Sequence, residues 1–153
     1  MTDETKAKKD YLRRYQIAHK KELHIIEDIR TVRGNAMLRA RIMDGTTHGG
    51  SRYDLSDYAA KLDDLCRKYD DLALHTAYIE NEIISAIHRL DDPDEISLLY
   101  FYYIKGMTQK EIAGRLGLNQ TWACKRMRDA VEHFTIPDAK EVDERGFIKC
   151  EYE

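Results

Sequence analysis

Eleven positions of one helical seam constrain this chain more than anything else in it. Leu55, Tyr58, Leu62, Leu65, Tyr69, Leu72, Thr76, Ile79, Ile83, Ala86 and Leu90 alternate steps of three and four residues without a slip. Only Thr76 in that series is polar. Such a step keeps one stripe of a helix facing a partner, so the series predicts a coiled-coil seam over five heptads. A helix of that length extends roughly 50 Å. With a single apolar stripe it needs another helix to cover it.

The preceding segment is a candidate cover. Leu12, Tyr15, Ala18, Leu23, Ile26, Ile29, Val32, Ala36 and Ala40 share one helical face, which predicts a helix over about residues 7–43. Residues 1–43 hold 11 Lys+Arg against 6 Asp+Glu, whereas residues 51–95 hold 5 against 12. Opposite charges favour folding the two helices into an antiparallel hairpin. The Gly-rich stretch Asp44–Ser51 is the expected turn, with the loop spanning 44–53. It lacks the Lys-Ser/Thr ending of a phosphate loop and follows no strand.

The stripe is also wide, with Ile25 beside Ile26 and Ile83 beside Ile84 and Ile87. That leaves apolar surface for a second copy, so a homo-oligomer is expected, most simply a dimer. Leu55, Leu62, Leu65, Tyr69, Leu72, Ile79 and Ile83 would form its seam. Heptads alone do not separate pairing within a chain from pairing between chains.

Other classes are excluded quickly. No apolar run approaches the length of a membrane span, and the charged start MTDETKAKKD does not read as a signal peptide. Three cysteines, Cys66, Cys124 and Cys150, stand far apart with no CxxC and no HxxxH, which argues against a disulfide framework and a zinc site. A reducing cytoplasm is the expected compartment. The acid pairs Asp63-Asp64, Asp70-Asp71 and Asp91-Asp92 fall on the polar face of the coil or beyond its end. Neighbours on a helix diverge, so they read as solvated or paired rather than catalytic. No nucleophile–base–acid set is visible, so neither an enzyme nor a cofactor is expected.

Beyond the coil, Asp92, Pro93 and Glu95 suit a helix start. The run ISLLYFYYI over 96–104 is a buried helix or a buried strand, and the caps favour helix. Lys105-Gly106 stops it.

Residues 108–134 read TQKEIAGRLGLNQTWACKRMRDAVEHF. Thr108 with Glu111 makes a capping box ahead of a short helix. Ala113 is small enough for a close helix crossing. Gly117 permits a positive φ in the turn. Asn119 caps a second helix that sends Ala123, Met127, Ala130, Val131 and Phe134 inward. This is the pattern of a helix-turn-helix, whose second helix enters the DNA major groove. Its outward face offers Gln120, Thr121, Cys124, Lys125 and Arg128 to bases; Gln pairs with adenine, and Lys or Arg with guanine. Thr108, Lys110, Arg115, Asn119 and Arg126 are placed for phosphates, which position without specifying.

The stretch LLYFYYIKGMTQKEIAGRLGLNQTWACKRMRDAVEHF resembles region 4 of sigma-70-type factors over residues 93–134. The whole arrangement resembles small phage and prophage regulators of the ArpU and RinA late-gene activator group. Those join a long helical N-terminal half, a Gly-rich break and a helix opening like Asp57-Tyr58-Ala59-Ala60 to a region 4-like end. The resemblance implies base reading by Gln120, Thr121 and Lys125. Two positions depart from it: Ala123 stands where a branched aliphatic is usual, and Arg126 where an apolar residue is usual. Trp122 either fills the gap by packing against helix 93–104, the preferred reading, or stands exposed as a contact to DNA backbone.

The fold class expected is therefore all-α, a helical hairpin or coiled coil over 1–92 and a helix-turn-helix over 93–134. The acidic tail 135–153 is left open between disorder, docking on the coil and a contact with polymerase. The function expected is a sequence-specific transcriptional regulator bound to double-stranded DNA, alone or as an activator beside RNA polymerase, with the sign of regulation left open and no membrane. Two alternatives stay open: a phage DNA-packaging recognition subunit, and a protein that grips polymerase or a sigma factor without reading DNA.

Overall fold

The computed structural model describes residues 2–43 and 53–148, and over these it is all-helical apart from one isolated β-bridge. Most of the loop expected at 44–53, the end of the tail and Cys150 lie outside the described residues, and Leu55 is described by its backbone alone. Two long helices come first, α1 (Asp3–Met43) and α2 (Tyr53–Ile87). Then follow α3 (Pro93–Leu99), α4 (Gln109–Leu116) and α5 (Gln120–His133). Among the described residues no helix is long and apolar enough to cross a membrane.

The described residues group into two compact units. One gathers residues up to Ala18 with those from Thr76 onward, and the other spans His19–His75. The start of α1 is thus grouped with the end of α2, as an antiparallel helix pair requires.

In the His19–His75 unit the seam is only half-covered. Leu62, Leu65, Tyr69 and Leu72 are half-buried, and Val32 is the one fully buried hydrophobic among its described side chains. Leu23, Met37, Leu38 and Leu74 are about half exposed or more.

The other unit has a continuous core. Leu12 and Ala18 of α1 and Ile79, Ile83, Ala86 and Ile87 of α2 join Leu98, Leu99, Ile112, Ala123, Met127, Val131 and Phe134 in one cluster. The boundary drawn from sequence at 92/93 therefore runs through shared packing. The physical reason is the wide stripe on α2: its last turns need cover, and α3–α5 supply it along with α1.

Local signals explain the short helices. The Asp92 carboxylate accepts the Asp94 N–H at 2.9 Å, and Pro93 takes the first helical position, where no N–H is needed. Instead of stopping, α3 loosens into a π-turn over Tyr100–Ile104, with the Lys105 N–H reaching the Tyr100 carbonyl. Four aromatics in a row (Tyr100 to Tyr103) are accommodated there as edge-on pairs, Tyr100 with Phe101 and Tyr102 with Tyr103. Burial pushes the Tyr103 hydroxyl up to about 12. Gly106 then ends the element at φ +68°.

The tail folds back on α2. Val142 and Ile148 bridge across a turn in which Asp143 Oδ1 accepts the N–H groups of Arg145 and Phe147, both at 2.8 Å. Glu141 pairs with Arg89 at 3.1 Å. Gly146 sits at φ +83° against the Tyr78 carbonyl, where a Cβ would collide with backbone.

Candidate nucleic-acid interface

The α4–α5 pair is held by a reciprocal cap and a left-handed turn. Thr108 Oγ1 accepts the Glu111 N–H, and Glu111 Oε2 accepts the Thr108 N–H at 2.7 Å. Gly117 takes φ +68°, and the Leu118 N–H returns to the Ala113 carbonyl at 2.8 Å. Asn119 Oδ1 accepts the Thr121 N–H at 2.9 Å and starts α5 only three residues after α4 ends. Ile112, Ala113, Ala123, Met127, Ala130 and Val131 bury the facing sides.

This leaves an exposed stripe. Thr121, Lys125 and Arg128 are exposed at i, i+4 and i+7 on α5, and Gln120 is exposed beside them. Lys110 is exposed on α4, and the capping residues Thr108 and Asn119 are exposed at the two helix starts. Those positions assigned from sequence are all exposed, on α5, on α4 and at the two caps.

Three others do not join them in the same way. Cys124 is half-buried, and its Sγ donates to Gln109 Oε1 at 2.7 Å. Arg115 lies over the Phe101 ring at 4.9 Å. Arg126, assigned to a phosphate from sequence, turns towards α3, where it pairs with Asp92 and stands 3.7 Å from Glu95. The reason is a buried carboxylate: Glu95 is 3% exposed and draws cations to itself. Trp122, expected against helix 93–104, is 39% exposed under the Arg126 guanidinium. With Gly117, Leu118, Asn119, Thr121 and Lys125 it lines an open hollow beside the turn.

No family model, no curated protein and no solved structure matches this chain.

His133 completes the α3–α5 junction, its Nδ1 3.0 Å from both Glu95 carboxylate oxygens. That hydrogen bond, then the carboxylate's charge, raises the His133 pKa from its ordinary 6.5. A raised value favours folding fully below 6.5, and the gain fades as pH climbs through the folded value. Three carboxylates run the other way. The Asp94 N–H holds Asp92 low, the Thr108 N–H holds Glu111 low and the Arg89 guanidinium holds Glu141 low. Their gain is complete above the ordinary carboxylate range and is lost in acid. Stability should therefore peak between about pH 5 and about pH 6.5. Denaturant midpoints measured across pH check this, and His133→Asn should flatten the alkaline limb alone. A midpoint that climbs steadily through neutral pH contradicts the assignment.

Sequence reasoning missed the contribution of α1. Lys8 Nζ donates to the Glu132 carbonyl in the last turn of α5 at 2.8 Å, and Tyr11 leans on Phe134 with ring centroids 5.9 Å apart. The start of α1 is therefore fixed beside α5. The excess of basic residues over 1–43 was the available signal, but it points equally well at α2.

Proposed function

We propose that the chain is a sequence-specific DNA-binding transcriptional regulator, with α4 and α5 as its helix-turn-helix and α5 as the recognition helix. The observation that carries this reading is the exposed stripe Gln120, Thr121, Lys125 and Arg128 on a helix whose opposite side is locked into the core. Amide, hydroxyl, ammonium and guanidinium groups at that spacing suit base edges in a major groove. The resemblance to region 4 of sigma factors and to phage late-gene activators agrees with it. Cys124 leaves the base-reading set and Arg126 the phosphate set, since one bonds to Gln109 and the other serves Glu95.

A dimer fits this role, because two recognition helices read two half-sites. The half-covered seam over Leu62–Leu72 supports one. A ring-sized assembly by light scattering would instead favour a DNA-packaging subunit. Trp122, exposed next to the turn, favours a protein contact such as RNA polymerase alongside DNA.

Selection of random duplexes on the purified protein at moderate salt tests the reading. An enriched motif is expected. Gln120→Ala and Lys125→Ala should each cost about 1–3 kcal/mol of preference for it, with folding and assembly intact. No enrichment, or an unchanged motif in both variants, overturns the assignment of α5.

A further inference from the structure

We propose that the start of α1 is part of the DNA-binding surface, where Lys9 and Arg13 join Arg128 of α5 to hold a backbone phosphate of the duplex. The inference rests on the DNA-reading assignment above and adds a second element to it.

The three cations line one cavity of about 210 Å³, together with Gln109, Cys124 and Tyr103, and none of its lining residues is acidic. Arg128 stands on the exposed stripe of α5, one turn beyond Lys125. Gln109 is the first residue of α4, and the hydrogen bond from Cys124 ties it to α5. The cavity thus opens between the two helices assigned to DNA and the one helix not assigned to it. Arg13 is half exposed, and its nearest carboxylate, Asp10, is 3.9 Å away, at the limit of an ion pair.

The placement of α1 is not loose. Lys8 caps a carbonyl of α5, Leu12 is fully buried, and Gln16 Nε2 donates to the Tyr102 carbonyl at 2.9 Å. Tyr11 and Arg14 both bond to Glu82 of α2. Just over two turns of α1, from Lys8 to Gln16, are therefore anchored, and Gln16 shares the stripe that carries Lys9 and Arg13. Two cations held in a fixed place beside a recognition helix suit a fixed phosphate better than a diffusing anion. A mobile pair would lose side-chain freedom on binding; this pair sits on a backbone that is already ordered.

The test compares the wild-type chain, Lys9→Gln/Arg13→Gln and Lys125→Ala on the enriched duplex and on a scrambled one across a salt series. The double variant should weaken binding to both duplexes by about the same factor, tenfold or more. Its plot of log affinity against log salt should lose about 0.9 of slope for each phosphate contact removed. Its sequence preference should stay intact, while Lys125→Ala loses preference. Ethylation of single phosphates should block wild-type binding at a position to which the double variant is indifferent. Arg13→Lys should restore part of the slope, and circular dichroism should show the same helix content in every variant. If affinity and slope are unchanged in the double variant while Lys125→Ala loses preference, DNA reading stands and the α1 contact falls. If no chain binds either duplex, both fall together.

Discussion

Arg126→Met is expected to destabilise the fold by about 3 kcal/mol at pH 8, the lower end of what breaking a buried ion pair costs. Glu95 is 3% exposed, and its carboxylate faces Arg126 and His133. His133 loses its charge as pH climbs through that raised pKa, so towards alkaline pH removing Arg126 leaves a buried carboxylate with less and less positive charge beside it. The lower end applies because Arg126 itself keeps 25% of its side-chain exposure and Asp92 keeps 34%. At pH 5.5 the imidazolium stands in for the guanidinium, and the cost should shrink. The converse change, Glu95→Leu alone, leaves Arg126 with Asp92 as its remaining partner, while its buried Nε already has no hydrogen-bond partner. Glu95→Leu with Arg126→Met should recover most of the loss, because two apolar side chains of similar volume need no pairing. Denaturant titration of the four proteins at both pH values gives the full cycle. A loss under about 1 kcal/mol at pH 8 would mean that water reaches Glu95 and that the junction is an ordinary surface pair.

That junction marks how far the sequence carries. What is local in the chain is legible in it. The helix beneath the seam, the Thr108–Glu111 box, the Gly117 turn and the Asn119 cap each join residues within one or two helical turns, and each forms. What depends on partners far apart in the chain is not. Arg126 meets Asp92 34 residues away, and periodicity gives it only a polar position on α5; nothing there distinguishes an arginine for phosphate from one for Glu95. The π-turn escapes too, since a helix that widens for Tyr100–Tyr103 keeps the same residue types as one that does not. The tail was undecidable for the same reason: its contacts with Tyr78, Asn81 and Arg89 reach across some 50 residues or more. The candidate interface splits along the same line. Gln120, Thr121, Lys125 and Arg128 follow from the turn and the cap, but Lys9 and Arg13 reach it only through tertiary packing.

That packing turns on one ring, and Phe134→Ala is expected to cost about 3–5 kcal/mol. Phe134 is fully buried and closes α5, its N–H bonding to the Ala130 carbonyl at 3.0 Å. Tyr11 rests on its ring, while the Tyr11 hydroxyl donates to Glu82 at 2.6 Å. Ala7, Lys8 and Ile136 border the same place. Truncation opens a cavity where α1, α5 and the tail meet, and the Glu82 bond restrains Tyr11 from dropping into it. Phe134→Leu, which keeps most of the volume, should cost under about 1.5 kcal/mol. The consequence for DNA follows from which helix is loosened. The α4–α5 turn is capped by its own residues, so Phe134→Ala should keep its sequence preference under conditions where it is folded. The start of α1 depends on Phe134, so the variant should show the weaker affinity and shallower salt slope of Lys9→Gln/Arg13→Gln. Denaturant titration followed by binding at two salt concentrations reads both effects. A cost under about 1 kcal/mol would show that the site collapses freely, and that Phe134 does not hold α1 against α5.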